Sequence, residues 1–325
     1  MSTLFIEQKG LSLDVKYNAL VFYGVDGKKY TSIPLKMLER VCMRGDLQLS
    51  ARVLGKLGEA GVGIVILSGR QKQPTLLMPS LKVDALRRKY QFLSSLDELH
   101  SVSLVRNLIQ QKIQGQVVCL DEFLQKYPQK RLLIYRAKQS LNRALVNLPS
   151  IQNIDKLRGL EGAAAAKYFS VWVQCLPEVL RFLGRRKHPC TDPVNATLSL
   201  AYTLVYGELV REIYLMGLDP YVGFLHTIEH GRASLACDLI EPLRPQIDWW
   251  VLSLFAHRLL RVENFSYQSE VCQLGKTARI QFYSAYEEFA VALRQEIRSL
   301  CRQFLKSLGE LHQEMMSFQY EVREI

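Results

Sequence analysis

Gly61-Val-Gly-Ile-Val-Ile-Leu-Ser-Gly69 reads as a buried β-strand, a run of apolar and β-branched residues closed at both ends by glycine. Pro74 and Pro79 mark the exit from it, and from about Lys82 the apolar residues change their spacing. Upstream the pattern is one of short strands. Leu4–Ile6 and Leu11–Val15 are candidates, and Ala19–Tyr23 and Lys29–Ile33 flank Asp26-Gly27, a strong hairpin-turn pair. Ser50 to Ala60 reads as a short helix with Leu54 and Leu57 on one face. Downstream, Val105, Leu108, Ile109 and Ile113 open a recurrence every three to four residues, the period of an amphipathic helix. Near the end, Phe282, Tyr286, Phe289, Leu293, Ile297, Leu300, Phe304 and Leu308 fall on one stripe of a long helix and are expected in the core. Strand patterns are nearly absent after Lys82. The parse is therefore α+β: a small β-rich N-terminal domain over residues 1–80, followed by a larger all-α domain over residues 81–325.

The chain has 325 residues, 48% of them hydrophobic and 22% charged, the balance of a globular protein and not of a disordered one. Its 42 Lys and Arg against 31 Asp and Glu leave a formal charge of +11, which favours a polyanionic partner, most simply nucleic acid. The seven cysteines are scattered and never form C-x-x-C, so a disulfide framework or a Cys-rich zinc site is not expected. A reducing cytoplasm suits them. The opening residues read as a strand and not as a leader, and no apolar run approaches the ~18 residues that cross a bilayer. A soluble, intracellular protein with no membrane partner is expected.

Chemistry concentrates in Gly223-Phe-Leu-His226-Thr-Ile-Glu-His230-Gly-Arg-Ala-Ser-Leu-Ala-Cys-Asp238-Leu-Ile-Glu241-Pro-Leu-Arg-Pro245. Two histidines and three carboxylates lie within sixteen positions, the oxygen and imidazole donors that a hard or borderline divalent cation needs. Asp238 and Glu241, three apart in a helical stretch that Pro242 and Pro245 end, would share a helix face near the core edge. There they need a partner: a metal, or a salt bridge to Arg232 or Arg244. His226 could equally be a satisfied core histidine, and Gly231 lets the chain turn between it and the acidic helix. Upstream, Arg158-Gly-Leu-Glu161-Gly-Ala-Ala-Ala-Ala sets one more carboxylate near a helix start, where the macrodipole favours it. His226-Thr-Ile-Glu229-His230 also fits H-x-x-E-H, a zinc-peptidase pattern. That pattern demands a continuous helix, which Gly231 opposes, and it leaves Asp238, Glu241 and the positive charge without a role.

Taken in order, these segments are specific. Gly-Phe-Leu-His226 followed by Gly231-Arg-x-Ser-Leu-x-x-Asp238-Leu-x-Glu241-Pro-x-Arg-Pro245 resembles the signature of the CRISPR-associated adaptation endonuclease/integrase family, CRISPR-associated protein one. The Glu161 segment resembles that family's first catalytic-acid motif, and Asp192-Pro-Val-Asn195-Ala-Thr-Leu-Ser-Leu-Ala-Tyr202 its central helix, with Leu200 where an aromatic is common. Gly45–Ser50 followed by Gly61-Val-Gly-Ile resembles its N-terminal domain.

The resemblance implies catalysis by Glu161, His226, Asp238 and Glu241. Glu161, His226 and Glu241 would ligate Mg²⁺ or Mn²⁺, with Asp238 a supporting or alternate carboxylate. It implies a homodimer through the β-rich domain, a catalytic helical domain, and a heterohexamer with a small second CRISPR adaptation protein. The implied substrate is double-stranded DNA: 3′-OH ends of short foreign fragments are joined to the CRISPR repeat by transesterification. Arg185, Arg186 and Lys187 are candidate phosphate contacts, as is Arg244. Tyr202 would position the DNA end or pack in the core. A metal-dependent nuclease acting on branched DNA repair intermediates, and a non-enzymatic DNA-binding scaffold with a structural ion, are the alternatives.

Overall fold

The computed structural model describes residues 2–67, 75–78, 85–186 and 189–321, without the side chains of residue 2 and residues 311–321. The chain divides into two compact units, Met1–Val83 and Asp84–Ile325.

The first unit carries β1 (Ser2–Ile6), β2 (Leu11–Lys16), β3 (Ala19–Tyr23), β4 (Lys29–Pro34), β5 (Leu38–Met43), β6 (Leu47–Leu49), α1 (Ala51–Glu59), β7 (Gly63–Ile66) and β8 (Thr75–Leu77). The strands form two four-stranded sheets, ordered β1-β5-β7-β8 and β4-β3-β2-β6. β5 pairs in parallel with β1 and β7 and is buried along most of its length, with Val41, Cys42 and Met43 an unbroken apolar run at its end. β2 alternates, burying Leu11, Leu13 and Val15. These join Leu20, Val41, Val53, Leu57 and Ile64 in one core. Ser50 caps α1 by accepting from Val53 N at 3.4 Å. The Asp26-Gly27 turn forms as the pair predicts: Gly27 has φ 72° and Lys28 N donates to the Asp26 carboxylate. A second tight turn, Tyr17-Asn18, has both residues at positive φ and joins β2 to β3 without glycine.

In the second unit α2 (Leu86–Leu96) precedes α3 (Glu98–Lys126), whose start Asp97 caps by accepting from His100 N. α4 (Arg131–Asn147), α5 (Ile154–Cys175), α6 (Pro193–Leu215), α7 (Ser234–Leu239) and α8 (Arg244–Ala256) follow. α3 lies at the centre, packed against α2, α4, α5, α7 and α8. The unit is not all helix. β9 (Phe265–Gln268) and β10 (Val271–Leu274) form an antiparallel hairpin of two four-residue strands that buries just Phe265, Cys272 and Leu274. α9 (Lys276–Glu321) closes the chain. Of its predicted stripe, all are buried except half-buried Phe289, which stacks on Trp250 with centroids 4.7 Å apart.

Candidate active site

Glu161 does not sit at a helix start. α5 begins at Ile154, where Asn153 accepts from Asp155 N and Lys156 N, and it runs without interruption through Gly159 and Gly162. Glu161 is thus about two turns inside the helix. Both glycines border open space, so that flank of α5 is bare beside the carboxylate.

Asp238 and Glu241 are not on one helix face either. α7 ends at Leu239, and Glu241 opens a 3-10 turn, Glu241–Leu243. Pro242 and Pro245 stand in the first turns of that segment and of α8, where a missing N–H costs nothing, so each starts an element instead of ending one. The break sends the two carboxylates to different partners. Glu241, buried, accepts from Arg244 Nε at 2.8 Å and from Lys112 Nζ at 2.5 Å. The same ammonium bonds the Glu161 carboxylate. Lys112 comes from the middle of α3, and its neighbourhood is set by close packing: a Cβ on Gly115 would lie 2.9 Å from the Pro245 ring, and Cys119 Sγ reaches Pro245 O at 3.3 Å. Burial opposes charge on Lys112, but Glu241 and Glu161 outweigh it and raise its pKa above the ordinary lysine value. Burial likewise opposes the Glu241 carboxylate, which Arg244 and Lys112 nevertheless hold ionised, with its pKa lowered to about 2.

Asp238 is fully buried and serves the segment ahead of it. One oxygen accepts from Phe224 N (2.6 Å) and Leu225 N (3.0 Å). The other accepts from His226 N (2.9 Å) and stands 2.7 Å from His226 Nδ1. With Nδ1 facing the carboxylate, Nε2 is the imidazole nitrogen left to meet a cation. The two Asp238 oxygens thus meet three backbone N–H groups and one imidazole nitrogen, all from residues 224–226. Arg158, on α5 one turn before Glu161, donates to Leu225 O at 2.8 Å and ties the histidine segment to that helix.

The H-x-x-E-H pattern has no helix: residues 226–230 are irregular, residues 227–230 are exposed, and Glu229 pairs with Arg232 at 2.5 Å. Of the two arginines that could neutralise the acidic pair, Arg244 takes Glu241 and Arg232 takes Glu229.

Most of the residues expected to meet DNA are occupied within the fold. Tyr202 is buried, donates its hydroxyl to Asp248, and has the guanidinium groups of Arg244 and Arg185 over its ring at 4.4 and 5.3 Å. A base could not stack there. Arg185 is spent on Asn195 Oδ1 (2.9 Å) and Ser199 Oγ (3.3 Å), and Arg244 on Glu241 and Tyr202. Arg186 is exposed; Lys187 lies outside the described residues. Asp-Pro-x-Asn is an architectural motif: Asp192 caps α6 through Asn195 N, Pro193 fills the first turn, and the Asn195 amide holds Gly184 O and Arg186 N.

Two features went unread in the sequence. Lys112 interrupts the buried stripe of Leu108, Ile109 and Ile113, a charge in an apolar register that signals a buried partner. Residues 123–154 hold no Asp or Glu but contain Lys126, Lys130, Arg131, Arg136, Lys138 and Arg143. Arg131, Arg136 and Arg143 are exposed on α4 with Tyr135, while Lys138 pairs with Asp121.

Among the described residues no three His, Cys, Asp or Glu side chains are gathered as a metal cluster. The donor chemistry nevertheless fits a divalent ion. Two carboxylates from α5 and the Glu241 turn meet at a single cationic atom, and a carboxylate-oriented imidazole follows on the segment tied to α5.

The same β-rich unit followed by a helical unit occurs in a Cas1 protein from Thermotoga maritima, with TM-score 0.81 at 23% identity over 94% of this chain and 96% of that one. It occurs too in a casposase bound to integration product, with TM-score 0.80 at 19% identity over 98% and 100%. The fold is thus the α+β architecture of these proteins. The profile of the family described as CRISPR associated protein Cas1 matches residues 4–288, and a CRISPR-associated endonuclease Cas1 of Thermodesulfovibrio yellowstonii is 38% identical over 94% of this chain and 98% of its own length. The chain belongs to the Cas1 family.

Proposed function

We propose that this protein is a divalent-metal-dependent DNA endonuclease/integrase that joins the 3′-OH ends of short DNA fragments to a CRISPR repeat. The observation that carries this reading is the convergence of Glu161 and Glu241 on one buried cationic point. The similarity to the Thermodesulfovibrio yellowstonii endonuclease and the likeness to a casposase bound to integration product support it.

In the reaction the fragment's 3′ oxygen bonds to a repeat phosphorus, the phosphorus bond to the repeat's own 3′ oxygen breaks, and the proton lost by the attacking hydroxyl is balanced by the one the leaving oxygen gains. Glu161, Glu241 and His226 would hold the ion. When bound it supplies Lewis acidity at the phosphate. Asp238 keeps the imidazole turned, with Nδ1 engaged. Arg244 holds Glu241 ionised and in place, and Tyr202, its hydroxyl fixed by Asp248, holds Arg244 in turn. The bare flank of α5 at Gly159 and Gly162 lets a DNA backbone come close to Glu161. The exposed arginines of α4, with Arg186, offer phosphate contacts.

Solved relatives include a Cas6-RT-Cas1–Cas2 complex and a Cas1–DNA complex. By likeness, the partners of this chain are DNA, a second copy joined through the β-rich unit, and a small second adaptation protein in a heterohexamer. Exposed Tyr17, Val25 and Tyr30 in the β-rich unit suit such a contact. No disulfide joins the seven cysteines, which suits a reducing cytoplasm, and no described helix is long and apolar enough to cross a membrane.

The test is strand transfer into a supercoiled repeat-bearing plasmid with Mn²⁺ or Mg²⁺, with and without the small partner. Glu161→Ala and His226→Ala are each expected to lower joining by about 10²-fold or more while DNA binding persists. Cleavage without joined product would convert the reading to a nuclease. Full joining in excess chelator would refute the metal.

A further inference from the structure

We propose that Lys112 is the site's resident counter-ion. Its ammonium holds Glu161 and Glu241 together until a divalent ion takes its place, so that Lys112 sets how tightly the site binds metal. The inference rests on the reading of Glu161 and Glu241 as ligands.

Lys112 Nζ bonds an oxygen of each carboxylate from between them. Glu241 is buried and Glu161 only partly exposed, so without a cation there the two acids would repel each other in a poorly hydrated space. An ion ligated by both carboxylates needs oxygen contacts of about 2.0–2.1 Å, whereas the ammonium holds one oxygen of each carboxylate and Arg244 takes the other oxygen of Glu241. It would also be repelled by that charge at close range. Metal and ammonium therefore exclude each other, and part of the metal's binding energy goes into moving the lysine. Lys112 lies in the middle of α3, a helix fixed by packing at Gly115 and Cys119, so the side chain moves and the helix does not. The arrangement keeps the ligand pair assembled before metal arrives, at the cost of weaker metal binding. Lys112 is thus a positioning residue.

The experiment titrates Mn²⁺ alone into the full chain and reads affinity by calorimetry and stability by thermal melting. Lys112→Met should lower the melting temperature of the metal-free protein and bind Mn²⁺ about tenfold or more tightly than the wild type. Its melting temperature should therefore rise further on adding Mn²⁺. Lys112→Gln, which keeps a donor but no charge, should move in the same direction. An unchanged or weaker Mn²⁺ affinity in both variants overturns the inference. So does failure of both to fold in the presence of Mn²⁺, because the ion should replace the missing charge. Glu161→Ala separates the two readings. If it binds Mn²⁺ as the wild type does, the ligand assignment itself falls. If it loses binding while the Lys112 variants match the wild type, only the counter-ion role falls.

Discussion

Asp248 lies fully buried beneath Tyr202, and burial raises its carboxyl pKa to about 6 despite the Tyr202 hydroxyl and Arg244, which favour the ion. In the unfolded chain it titrates near ~4. The folded state therefore binds this proton more tightly than the unfolded one. Its contribution to stability is complete below about pH 4, declines as the pH rises through about 6, and amounts to about 3 kcal/mol in total. Glu241 runs oppositely: its pKa is lowered, so its contribution is present at neutral pH and lost in acid. Asp248→Asn keeps an oxygen for Tyr202 and removes the titration. Melting temperatures measured from pH 4 to 8 should fall less steeply in this variant than in the wild type. An equal slope would assign the titration to another group. Asp238, equally buried, meets three backbone N–H groups and the His226 ring nitrogen with its two oxygens.

The element that sets the histidine is the short segment ahead of α7, and its tolerance is narrow. A Cβ on Gly223 would lie 2.7 Å from Ser234 Cβ, 2.8 Å from the Ser234 carbonyl carbon and 2.9 Å from Asp238 Oδ2. The first two atoms belong to the start of α7 and cannot swing aside. Gly223→Ala should therefore push residues 224–226 off the Asp238 carboxylate, destabilising the fold by about 1–3 kcal/mol. Strand transfer should fall more than that stability loss accounts for, measured below the variant's melting range. Wild-type joining rates in a folded Gly223→Ala protein would show that the Asp238 bonds do not govern His226. Elements also account for what the sequence concealed. A helix through Glu161 was legible, but its start was misplaced because Gly159 and Gly162 look like a boundary, whereas the cap is Asn153. Glu241 and Asp238 looked like a helical pair because spacing alone does not reveal the change from α7 to a 3-10 turn.

For the molecule as a whole, the excess of +11 is the property that DNA would meet first. The acid-free stretch of residues 123–154 places exposed Arg136 and Arg143 seven residues apart on α4, about 10 Å along the helix. Reversing both charges should weaken DNA binding and flatten the dependence of log K on log salt by about two. A slope equal to the wild type's would place the phosphate path elsewhere. Much of this protein is local in origin and was legible before folding. The shift from strand to helix periods near Lys82, the Asp26-Gly27 turn, the α9 stripe and the ordered motifs around Glu161, His226 and Glu241 are each written within a few turns of chain. What could not be read there is what joins them. Lys112 is 49 residues from Glu161 and 129 from Glu241, and Asp248 is 46 from Tyr202. Periodicity reports which face of an element is apolar. It carries no information on which charged group from a distant helix will be buried against it, and that choice, made by packing, brings Glu161 and Glu241 to one ammonium.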